Sequence, residues 1–189
     1  MNARDLGLLN FMIASLHNEE DVINYNIDPS NQIRFPRGFL RTLNENREFI
    51  WFITDEELKT RIAQQMMLRD TLHWLWLKTD ILAHAREMLI KQQLINLGTI
   101  VEAMAVFLTQ DGSRRERSSV YTRLDLLQTR NRISPRVNRN CKELWECRRQ
   151  IHLHLIEGGD DVRYNNENYV AWHQSVGDMI AELSATMNP

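Results

Sequence analysis

Apolar residues in this chain recur every three to four positions and nowhere alternate convincingly with polar ones, a pattern that predicts helices and no strand. A first amphipathic helix is predicted over residues 6–22. A loop follows over 26–38, where Asp28-Pro29-Ser30 and Pro36 act as breakers. An aromatic-rich helix is predicted over 39–53. Thr54 as N-cap with Glu57 three residues on forms a capping box, opening a long helix through 77. Thr79 or Asp80 marks a break there, or else the helix runs on. From about 81 to 109 the stripe Leu97, Ile100, Val101, Met104, Ala105 and Leu108 predicts a helix with a buried face, ended by Gln110-Asp111-Gly112. Residues 113–119 are a polar, basic connection. Tyr121, Leu124 and Leu127 begin a helix ending near 130. A loop is expected over 158–161 and a closing helix over 169–183.

The stretch over 137–157, VNRNCKELWECRRQIHLHLIE, is where pattern and chemistry conflict. Ser134 as N-cap and Pro135 at the first helical position start it. Its apolar stripe is Val137, Cys141, Leu144, Trp145, Ile151 and Leu155. Arg148 falls where the next apolar residue belongs, within roughly 20° of Val137 at about 100° per residue, and His152 lies on the edge of the same face. A guanidinium on an apolar stripe is costly unless it is paired or lines a cavity, and such conflicts tend to mark functional sites.

The 189 residues, 43% of them apolar, suffice for one packed domain or one domain with an extension. Mean hydropathy is −0.44, and no apolar run approaches the roughly 18 residues of a membrane span. The first twenty residues make a poor signal peptide. The two cysteines, Cys141 and Cys147, sit six residues apart in one predicted helix. That is about 9 Å by rise, too far for a disulfide within a helix. Reduced thiols and a cytoplasmic setting are expected, with no membrane association.

The net charge of −2 conceals an uneven distribution. Residues 113–150 hold eleven basic residues, ten of them Arg, against four acidic ones, a surplus of seven; the remainder of the chain therefore carries −9. Arg suits bidentate phosphate contact, so this stretch is read either as a solvated helical face or as a phosphate-binding surface.

Several chemistries find no support. His152 and His154 point about 200° apart on a helix and cannot chelate one ion from that segment; no other metal-ligand spacing occurs, so neither metal nor cofactor is expected. His17, His73, His84 and His173 are scattered, and Trp74 and Trp76 read as core or interface. No glycine-rich phosphate loop and no nucleophile-elbow signature is present. What remains is Arg148 or Arg149 with His154: a group that holds phosphate and a group that moves protons near neutral pH.

The same residues resemble the signature helix of HEPN domains (higher eukaryotes and prokaryotes nucleotide-binding), in which an Arg precedes a His by four to six arbitrary residues. Arg149 to His154 encloses four, Arg148 to His154 encloses five. The flanking LDLLQTRNRISPRVNRNCKELWECRRQIHLHL resembles the family's helix, short Ile-Ser turn and Leu-rich motif helix. Upstream, INLGTIVEAMAVFL resembles its first core helix, with Glu102 at the family's acidic position. The resemblance covers roughly 85–185. The residue after the motif Arg is Gln150 or Arg149, where the family usually has Asn, Asp or His, and Ile156 replaces a Tyr of one branch.

The apolar periodicity predicts an all-α fold with a helical N-terminal extension over 1–80, which matches nothing in that family, and the resemblance implies a HEPN-like antiparallel helical bundle over 81–189. It also implies a homodimer in which two motif helices face each other. It implies a metal-independent endoribonuclease of a defence, toxin–antitoxin or RNA-processing system, using Arg148 or Arg149, His154 and Glu102. Arg130, Arg132, Arg136, Arg139 and His152 are then candidates for RNA contact, and an antitoxin or other protein is a candidate partner. The alternative is a non-catalytic HEPN-type module that binds RNA, nucleotide or a protein. A third reading is a structural adaptor whose Arg-rich face meets an acidic partner.

Overall fold

The computed structural model describes residues 40–79, 81, 83–110, 118–151 and 166–187, with the backbone alone at 83 and 84. These residues form six α-helices and no strand, so the class is all-α. They are α1 (Leu43–Phe49), α2 (Glu56–Lys78), α3 (Ala83–Thr109), α4 (Val120–Thr129), α5 (Pro135–Gln150) and α6 (Asn166–Thr186). By its contacts the chain divides into Met1–Phe39 and Leu40–Pro189. All six helices belong to the second unit, and the boundary expected between 80 and 81 falls inside it, where α2 gives way to α3. The helix expected over 6–22, the loop over 26–38, the basic run 113–117, His152, His154 and the 158–161 loop lie outside the described residues. No described helix is long and apolar enough to cross a membrane.

Two helix starts differ from the sequence reading. The helix expected over 39–53 shrinks to α1. Thr42 is its N-cap, accepting from the Glu45 amide at 3.3 Å, while the Glu45 carboxylate accepts from the Thr42 amide at 2.6 Å. After α1 the chain turns, and Ile50, Phe52 and Ile53 enter the core while Trp51 stays at the surface. That spacing is not helical, so the aromatic run overstated the helix. Next, Asp55 caps α2 in place of Thr54, its Oδ1 accepting from the Leu58 amide at 2.9 Å. Asp is the stronger N-cap and its charge suits a helix N-terminus. The break at Thr79 is present: its amide closes α2 on the Leu75 carbonyl at 3.1 Å.

Helix α3 is the hub. It packs on α2, α4, α5 and α6. Ile90, Leu94, Leu97, Ile100, Val101, Met104 and Ala105 are all buried, while Leu108 at the end of the expected stripe is only partly so. They join Val137, Cys141 and Leu144 of α5 and Val176, Met179 and Leu183 of α6 in one core. Each large side chain buried this way contributes about 1.5–3 kcal/mol. Asn96 ties α3 to α2 by donating to the Gln65 carbonyl at 3.1 Å and side-chain oxygen at 2.7 Å. Arg123, counted above among the cations of a basic face, is instead buried. It donates to Thr109 Oγ1 at 2.7 Å and to the Ser118 carbonyl at 3.3 Å, pinning the start of α4 to the end of α3.

Between α2 and α6 lies a polar layer that no local pattern in the chain announces. Asp70 takes a bidentate pair from Arg41 at 2.6 and 2.7 Å and a contact from buried Arg69 at 3.1 Å. Burial opposes the charge on Asp70, but the hydrogen bonds and charges of Arg41 and Arg69 outweigh it and hold its pKa low. One turn on, the rings of His73 and His173 stack with centroids 4.3 Å apart, and the Tyr169 hydroxyl is 2.7 Å from His73 Nδ1. Trp76 closes the layer edge-on to Tyr169 and donates to Asn166 at 3.2 Å.

This layer makes the fold acid-sensitive. Burial, then the charge of Arg69, pushes both imidazole pKa values below the ordinary value, that of His173 down to about 3. Below about pH 6.5 the unfolded chain takes up protons that the folded histidines refuse. Stability is therefore full above that pH and declines as the pH falls toward 3. The slope is at most about 1.4 kcal/mol per pH unit for each histidine. Thermal unfolding at pH 7, 6 and 5 measures it. His173→Phe keeps a ring in the stack but has no proton to gain, so its Tm should drop less than the wild type's over that interval. Parallel curves would refute the assignment.

Candidate functional site

The site is built on α5. Ser134 caps it, accepting from the Val137 amide at 3.3 Å while its own amide and hydroxyl donate to Glu182 of α6 at 2.6 and 2.8 Å. Pro135 takes the first helical position. The helix is described through Gln150, with Ile151 as its C-cap, and not as far as residue 157. Its buried side chains are Val137, Asn138, Cys141, Leu144 and Cys147. Cys147, not Arg148, thus takes the stripe position after Leu144. Both registers fit a helical period, but a thiol is buried cheaply and a guanidinium is not. The Cys141 thiol, equally buried, has its pKa pushed up to about 12 by that burial, which leaves it neutral and unreactive.

Displaced from the stripe, Arg148 lies at its flank with 27% of its side chain exposed. Three contacts define its course. Its aliphatic stem crosses α3 at Gly98: a Cβ added there would collide with Arg148 Cδ and come within 3.3 Å of its Cβ and Cγ. Its guanidinium lies over the Trp145 ring, 4.4 Å from the centroid. Its Nη2 is 3.6 Å from Glu102 Oε2. A half-exposed ion pair contributes about 0–1 kcal/mol and an exposed cation–π contact about 0.5–1 kcal/mol. Together they orient the guanidinium more than they stabilise the fold.

Arg149 faces elsewhere. Its Nη1 is 3.3 Å from Glu146, which also accepts from Gln150 at 3.1 Å and from the Tyr121 hydroxyl of α4. Burial and this acceptor raise the Tyr121 pKa. Of the two candidate motif arginines, only Arg148 therefore shares a site with Glu102. The other cations lie toward the opposite end of α5. Arg130 and Arg139 are exposed, Arg132 donates to the Thr186 carbonyl, and Arg136 pairs with Asp178 at 2.9 Å. Twelve residues separate Arg136 from Arg148, about 18 Å along the helix. The structure thus brings Arg148 and Glu102 together and separates them from Arg130, Arg132, Arg136 and Arg139; His152 and His154 lie outside the described residues.

Two residues of this arrangement escape sequence reasoning. Trp145 belongs to the apolar pattern, and nothing in the pattern marks it as a platform for Arg148. Gly98 does leave a trace, because a glycine inside a long helix costs about 1 kcal/mol relative to Ala and signals close approach by another element. Among the described residues, no three His, Cys, Asp or Glu side chains converge on one point.

Comparison of the chain with protein-family models, curated proteins and solved structures finds no match.

The Gly98–Arg148 contact is testable as a pair. In Gly98→Ala the helix gains about 1 kcal/mol of propensity, while overpacking against Arg148 costs about 1–3 kcal/mol. A net loss of up to about 2 kcal/mol is expected. Adding Arg148→Ala removes the clash, so the double variant should be more stable in urea than Gly98→Ala alone. Additive effects of the two substitutions would show that the side chain does not cross there.

Proposed function

We propose that this chain is a HEPN-like helical module that acts on RNA as a metal-independent endoribonuclease. Arg148 contacts the scissile phosphate and His154 transfers the proton. The observation that carries the reading is the setting of Arg148. It is a charged group beside an otherwise apolar stripe, given passage by Gly98 and aimed by Trp145 and Glu102, near the end of the helix that leads toward His154. In this chemistry the RNA 2′-oxygen attacks phosphorus and the 5′-oxygen of the next nucleotide leaves. The proton lost by the 2′-hydroxyl and the proton gained by the leaving oxygen pass through an acid–base group. Arg148 offsets the charge that builds on the phosphoryl oxygens. DNA has no 2′-hydroxyl and is not cut.

Arg130 and Arg139, exposed toward the other end of α5, supply salt-dependent backbone affinity in this proposal. Arg132 and Arg136, each in contact with α6, belong to the same candidate surface. Arg149 is a secondary candidate for phosphate contact, and His152 for RNA contact. The homodimer implied by the resemblance belongs to the same proposal.

A non-catalytic RNA-, nucleotide- or protein-binding module is the second reading, and one observation favours it: Arg148 already has an anionic partner in Glu102. A substrate phosphate must compete with that carboxylate.

The deciding experiment incubates purified protein with mixed RNA in EDTA. Wild type should release products with 2′,3′-cyclic phosphate ends. His154→Ala should lower the rate by about 10²–10⁴ while RNA binding at low salt persists, and Arg148→Ala should weaken both. Equal activity in wild type and variants would defeat the assignment. Binding without cleavage would leave the non-catalytic module. Light scattering at micromolar concentration should give twice the 22.4 kDa of one chain; a monomer mass would remove the dimer from the proposal.

A further inference from the structure

Beside Glu102, a groove of about 570 Å³ runs between the start of α2 and the second half of α3. That volume lies within the range of small-molecule sites. Its apolar part comes from Leu58, Ala103, Val106 and Phe107, all partly buried. Its polar part includes Asp55, Glu57 and Glu102. The three carboxylates do not make a simple cation trap, because each has a positive or donor partner. Asp55 Oδ1 caps the α2 amide of Leu58 at 2.9 Å, Glu57 Oε1 pairs with Arg61 at 2.5 Å, and Glu102 Oε2 faces Arg148 at 3.6 Å. Arg61 and Arg148 thus face two of the three negative charges, and the carboxylates make the groove rich in hydrogen-bond acceptors.

A flat, uncharged ring that brings several N–H donors fits such a groove. Phe107 offers an aromatic surface for stacking, which holds a nucleobase without regard to its identity, and the acceptors then choose among bases. The Watson–Crick edge of guanine carries three N–H hydrogens, those of adenine and cytosine two, and that of uracil one. Glu102 belongs to both places: it lines the groove and faces the Arg148 guanidinium. A base in the groove and its phosphate at Arg148 would then belong to neighbouring parts of one strand.

We propose that this groove is a nucleobase subsite, selective for amino-bearing bases with guanine first, which seats the nucleotide adjoining the phosphate held by Arg148. The inference rests on the RNA reading above, but its test does not require cleavage.

The probes are the four 5′-ribonucleoside monophosphates, titrated against the intact chain by calorimetry or ligand-observed NMR. The expected order is GMP tightest, AMP and CMP next, UMP weakest, with about tenfold between the extremes. Two variants locate the binding. Ala103→Leu fills the floor of the groove and should abolish GMP binding. Asp55→Asn keeps an equally good N-cap, so the fold is preserved, but it exchanges a carboxylate for an amide and should shrink the GMP-to-UMP ratio. Circular dichroism and Tm establish that both variants are folded. Four nucleotides bound alike, or a GMP preference that survives both substitutions, would overturn the proposal, as would a groove that takes spermidine in preference to any nucleotide. Cleavage that needs His154 but shows no base preference would reject the subsite and keep the nuclease. GMP preference without cleavage would keep the subsite and reject the nuclease.

Discussion

Four helices must share the surface of α3, and that constraint organises the unit formed by residues 40–189. A helix can present apolar side chains to several neighbours only if little of its circumference is left to water. The middle of α3 meets that condition, with Leu94, Leu97, Ile100, Val101, Met104 and Ala105 at or near zero exposure. Two polar groups on this helix are accommodated, Asn96 by bonding to Gln65 and Glu102 by reaching the rim, whereas Gln93 is buried with neither polar side-chain atom hydrogen-bonded among the described residues. The candidate site is therefore a consequence of crowding: it forms where α5 passes the one residue of α3 small enough to let an arginine stem across.

That view separates what could be read from the chain from what could not. The stripe of α3 and the Ser134-Pro135 start of α5 are local signals, each decided within a turn or two of helix, and the structure has them; of the alternatives left open near 79–80, it has the break at Thr79. Cap choice is also local but closely balanced, which is why Asp55 could displace Thr54. The register of α5 was ambiguous for a deeper reason. Positions 147 and 148 both continue the period, and only the presence of α3 on one side and solvent on the other decides that the thiol goes in and the guanidinium goes to the edge. The His73–His173 stack lies further out of reach, since its members are a hundred residues apart and neither segment carries a mark of the other. Arg123 shows the same limit in reverse: a cation counted as surface charge turns out to hold two helices together.

The two polar assemblies on this scaffold differ in kind. Around Asp70, Arg69 is nearly inaccessible and Arg41 is bidentate. Removing one partner there would strand a buried charge, which makes the assembly a structural clamp. Around Arg148, all the polar groups keep contact with water, and no single interaction exceeds about 1 kcal/mol. A clamp that strong could not release its charge to a ligand. A weak cradle can.

This difference bears on the choice between catalytic and binding roles for Arg148. To engage a phosphate, the guanidinium must exchange a half-solvated carboxylate at 3.6 Å for a charge-assisted pair. Hydrogen bonds to charged groups are worth about 1.5–3 kcal/mol, against about 0–1 kcal/mol for the pair given up. The exchange is favourable by a modest margin, and it needs little movement, because the guanidinium presents five N–H donors and its 3.6 Å contact with Glu102 is too long for a hydrogen bond. Trp145 and Gly98 restrict the side chain throughout, so the entropy of ordering it has already been lost in folding. In the RNA reading proposed above, Glu102 is then less a competitor than a placeholder, a weak partner that a phosphate would displace.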